Sequence, residues 1–91
     1  MLQDFITHAY VGKRNVVRDL LTGVEYPYST GADPTTASEA QLTTITTRAE
    51  AEAAAVTAQR TLVAAMRASG DLAPNVVTLE DLKTAYAAYQ A

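Results

Sequence analysis

The residue best suited to moving a proton is His8, the one histidine of the chain. Asp4 stands four residues before it and Tyr10 two after it. On a helix Asp4 and His8 would share a face, and a carboxylate beside an imidazole is how a general base is oriented. A solvated helical histidine has the same sequence, and one histidine makes no metal cluster. The chain has no cysteine, which excludes disulfides, thiolate zinc sites and thiol catalysis. Ser29, Ser38 and Ser69 fall at turn or cap positions, outside any nucleophile elbow. Glu50 and Glu52 would point to different sides of a helix and could not pair. Asp71, Glu80 and Asp81 lack the alternating ligands and glycine of a calcium loop. The four glycines are scattered and form no phosphate-binding loop. The sequence therefore predicts no catalytic residue, no cofactor, no metal site and no enzyme.

The bulk properties narrow the partners. A chain of 91 residues is read as one domain, 1–91. Its formal charge of −3 lacks the basic footprint of a nucleic-acid binder. Lys13, Arg14 and Arg18 outnumber Asp4 and Asp19 near the start, a small excess that suits solvated faces. Residues 60–91 read as helix, turn and helix, but the connector of about eight residues is long for a DNA-reading motif. The last helix offers only Lys83 against Glu80 and Asp81. No sequence-specific nucleic-acid contact is expected. No apolar run approaches ~18 residues, so no membrane span is expected. The first residues lack the pattern of a signal peptide.

The elements that must position these residues read as all-α, with three main helices at about 2–22, 36–69 and 78–90. In the first, Leu2, Phe5, Ile6, Ala9, Val16, Val17, Leu20 and Leu21 recur at three-and-four spacings. Gly12 weakens or hinges that helix, and Gly23 suits a left-handed C′ position. Residues 24–34 read as an extended arm or loop, because Tyr26-Pro27-Tyr28 carries a proline that permits only an edge strand or an arm.

The middle helix dominates the chain. Asp33, Thr36 or Ser38 could cap it, and Gly70 ends it. At ~36 residues it would be ~54 Å long, more than the ~25 Å breadth of a compact domain this size. Leu42, Ile45, Ala49, Val56, Val63 and Met66 form its seam, with Glu52 and Gln59 as polar interruptions. The β-branched run 43–47 is compatible with a strand, although the three-residue spacing of Leu42 and Ile45 favours helix. The alanines from 49 to 58 leave a thin waist where another helix could approach closely, or else a plain solvated face. Thr78 caps the last helix with Asp81 at N3, and Val77 and Leu82 fit a hydrophobic staple. Leu79, Leu82, Tyr86 and Tyr89 share its stripe.

Recognition is therefore assigned to packing surfaces. The candidate interaction residues are Tyr26, Pro27, Tyr28, Leu42, Ile45, Ala49, Val56, Val63, Tyr86 and Tyr89. Tyrosines are enriched at interfaces, so Tyr26 and Tyr28 either reach a neighbour or fold back as a lid. The segment Arg18-Asp19-Leu20-Leu21-Thr22-Gly23, closing the first helix, resembles the small head-completion, or head-tail joining, proteins of tailed bacteriophages. In those proteins a hairpin follows, and then a second helix begins after a Ser/Thr-rich cap, matched here by Thr35-Thr36-Ala37-Ser38-Glu39 or, less well, by Thr78-Leu79-Glu80-Asp81-Leu82. The resemblance covers about a quarter of the chain and implies a virion assembly role. It carries over no functional residue. The expected function is a non-enzymatic structural subunit acting in several copies, with partners among copies of itself and neighbouring virion proteins. The alternative is a small cytoplasmic inhibitor or adaptor that blocks one larger protein.

Overall fold

In the computed structural model residues 4–11, 14–28, 47–76 and 78–91 are described. They form an α+β arrangement of three antiparallel strands followed by two helices. The strands are β1 (Ile6–Val11), β2 (Arg14–Asp19) and β3 (Glu25–Tyr28), and they lie in sequence order across the sheet. The helices are α1 (Arg48–Ala68) and α2 (Leu79–Gln90). The all-α expectation is thus overturned at its first element. The stretch read as a helix over 2–22 is a β-hairpin.

The reason lies in the central strand. Val16 and Val17 are both 0% exposed. Neighbours on a strand point to opposite faces, so both faces of β2 are covered. A strand buried on both faces shows apolar doublets instead of alternation. The doublets Phe5-Ile6, Val16-Val17 and Leu20-Leu21 then mimic a helical stripe. Val11 stands opposite Arg14 at the end of the β1–β2 pairing.

Asp19 to Val24 turns β2 into β3. Gly23 N–H donates to Asp19 O at 2.7 Å, one helical turn that is not continued. Gly23 sits at φ 79°, a left-handed conformation that costs other residues ~1–2 kcal/mol. This turn is locally a helix end, which is why Asp-Leu-Leu-Thr-Gly reads as one. Arg18 and Glu25 then pair across the strands at 2.8 Å.

Within the 24–34 stretch read as an extended arm or loop, Glu25–Tyr28 form strand β3, hydrogen-bonded to β2 at the end of the strand order, which is the edge-strand alternative left open for Tyr26-Pro27-Tyr28. Residues 29–34 lie outside the described residues. A continuous helix over 36–69 is also corrected. Thr47 has extended backbone angles of −71° and 159°, and its side chain accepts from Glu50 N–H. That N-cap starts α1 at Arg48 and bars its continuation backwards. The cap candidates at 33, 36 and 38 and the seam residues Leu42 and Ile45 lie outside the described residues. At its other end Gly70, at φ 88°, terminates α1, and Asp71 N–H returns to Met66 O in the pattern of a Schellman cap.

α2 starts behind Thr78, whose Oγ1 accepts from Asp81 N–H at 3.3 Å and donates to Asp81 Oδ2 at 2.8 Å. Val77 lies outside the described residues.

Two apolar clusters hold these elements. In one, Val17 and Tyr28 of the sheet meet Ala51 and Ala55 of α1, with Ile6 and Tyr26 beside them. In the other, Leu21, Val63, Met66, Leu72, Leu82 and Ala85 join the β2–β3 turn, α1, the connector and α2. The small side chains of Ala51 and Ala55 let α1 settle directly on the sheet. The thin waist read from the alanines therefore has a sheet on one side.

Candidate functional site

Three polar residues of α1 lie along the side that meets the sheet. Glu52, Gln59 and Arg60 project from it towards β1 and the residues just before that strand. Gln59 is 0% exposed. Its Oε1 accepts from Phe5 N–H at 2.7 Å, and its Nε2 donates to Phe5 O at 3.0 Å and to Asp19 Oδ1 at 2.7 Å. Asp19, 1% exposed, also accepts from Leu21 N–H at 2.8 Å and Thr22 N–H at 3.3 Å. Three donors on one oxygen compensate the burial of that carboxylate, which would otherwise be costly.

The next residue, Arg60, forms a two-pronged pair with Asp4, with Nε and Nη2 donating at 3.0 and 2.8 Å. Asp4 raises the pKa of Arg60, chiefly by these hydrogen bonds. At the other end, His8 Nε2 meets Glu52 Oε1 at 2.6 Å, and Arg48 Nε donates to the same oxygen at 3.0 Å. Hydrogen bonds from Arg48, then from His8, hold the Glu52 carboxyl below the ordinary glutamate value. The His8 ring stands edge-on to Tyr28, with centroids 6.4 Å apart.

The carboxylate beside His8 is therefore Glu52 and not Asp4. The pair is a clasp between β1 and α1, held by an arginine and an aromatic edge. Nucleophilic catalysis needs a third group within hydrogen-bond reach of such a pair; among the described residues the further hydrogen-bond partner of this pair is Arg48. Among the described residues no group of three or more His, Cys, Asp or Glu could hold a metal ion, and no helix is long and apolar enough to cross a membrane.

The chain matches no protein-family model, no curated protein and no solved structure. The site must be read from its own geometry.

The expected interaction residues scatter. Tyr28 is buried in the sheet–helix cluster and Tyr26 packs beside it. Burial, then the charge of Asp19, raises the Tyr26 phenol above its ordinary value. Pro27 is half-buried on β3. Val63 lies in the core and Tyr86 packs against that same cluster. Val56 is half-buried and Ala49 is exposed on α1. Tyr89 is 37% exposed on α2. Leu42 and Ile45 are outside the described residues. Tyr26 and Tyr28 are thus brought together, and Val63 and Tyr86 meet in the other cluster.

One surface residue falls outside the expected set, and two surfaces extend it. Tyr10 on β1 is 59% exposed, visible in the sequence only once β1 is known to be a strand. The solvent side of α1 presents Ala53, Ala54, Thr57, Thr61, Ala64 and Ala68, all exposed and all small and uncharged. α2 buries only Leu82 and Ala85, leaving Ala87, Ala88 and Tyr89 at its surface.

Proposed function

We propose that this chain is a non-enzymatic assembly subunit that works in several copies within a bacteriophage particle, as a connector, head-completion or tail component. Its shape carries the reading. The radius of gyration is 15.2 Å and the extents are 45 × 25 × 18 Å. A compact chain of this length has a radius of about 12 Å. An extended molecule leaves long faces uncovered, and here those faces are made of alanine, threonine and tyrosine. Small uncharged side chains cost little to desolvate and allow close approach of a neighbour.

The polar groups, in contrast, are spent inside the molecule. His8, Glu52, Gln59, Asp19, Asp4 and Arg60 all hold β1 and its flanks to α1. That is the economy of a part that must be rigid, with recognition left to shape and apolar burial at ~25 cal/mol per Å². The choice of a phage particle comes from the resemblance at Arg18–Gly23, which here occupies the β2–β3 turn and not the end of a helix.

Electron microscopy and light scattering of the concentrated protein test the reading. Rings, stacks or a defined oligomer are the expected result. A monomer at every concentration overturns self-assembly and favours the inhibitor or adaptor.

A further inference from the structure

We draw no further inference here: the strongest candidate, the solvent-facing stripe of small side chains on α1 from Ala53 to Ala68, is an unpartnered face, and nothing in the structure shows what covers it.

Discussion

The Gln59 amide meets Phe5 as a strand residue would, accepting from its N–H and donating to its C=O. It also reaches the Asp19 carboxylate, so one side chain links the start of β1, the end of β2 and α1. Replacing it with leucine keeps the volume, strips Phe5 N–H of its acceptor and takes from the buried Asp19 carboxylate one of its three donors. Gln59→Leu should lose about 3 kcal/mol of unfolding free energy by urea titration, since unsatisfied buried groups cost ~1–3 kcal/mol and more when charged. A loss under about 1 kcal/mol would show that water substitutes for the amide.

Glu52 permits a test by pH. Its carboxyl is held below the ordinary value by Arg48 and His8. A group depressed in the folded state contributes stability above its unfolded pKa, and that contribution disappears as pH falls through the folded value. Wild type should therefore lose melting temperature more steeply than Glu52→Gln as pH falls from neutral to below the ordinary glutamate value of about 4.3. Parallel curves would mean that the clasp is idle.

At the scale of elements, the turns and caps do more than propensity. The Asp19–Val24 turn depends on a left-handed Gly23, and a Cβ built there meets nothing within 4 Å. Any penalty for Gly23→Ala is then backbone strain alone, about 1–2 kcal/mol. A neutral result in thermal unfolding would mean that the turn relaxes to another geometry. α1 and the sheet meet through Ala51 and Ala55, exposed by 1% and 0%. Ala55→Leu should destabilise by about 1–3 kcal/mol through overpacking. The same change at exposed Ala64 should leave the fold intact, so Ala64→Leu reports on contacts between molecules.

The helix ends were legible because capping is local chemistry. Thr78 with Asp81, and Gly70 after α1, are written within a few residues. The start of α1 was not. Several Thr and Ser positions between 36 and 47 have cap chemistry, and only the backbone of Thr47 identifies the one in use.

For the whole molecule, the radius of gyration of 15.2 Å exceeds the about 12 Å of a compact chain of this length, which is what supports the assembly reading. The fold class was misread for a physical reason. Apolar doublets at Val16-Val17 and Leu20-Leu21 satisfy a helical stripe and a strand covered on both faces equally well, and no local signal separates the two. The polar interruptions Glu52 and Gln59 were visible in the seam, yet they read as weak points because their partners, His8, Phe5 and Asp19, are more than 30 residues away in sequence. The Tyr26-Pro27-Tyr28 segment read as an edge strand or an extended arm, its tyrosines either reaching a neighbour or folding back over the core. They pack against α1 because residues 26 and 28 share one side of strand β3, with Pro27 on the other.

By itself the sequence determined what depends on residue type and near neighbours. It set the lack of thiol chemistry, the acidic balance, the cap at Thr78 and the stop at Gly70. Only the tertiary structure decided whether the first segment is helix or hairpin, which carboxylate meets His8, and which face of the sheet α1 covers. Those outcomes depend on which distant surfaces cover a residue, and an alternation of side chains along one segment carries no record of that.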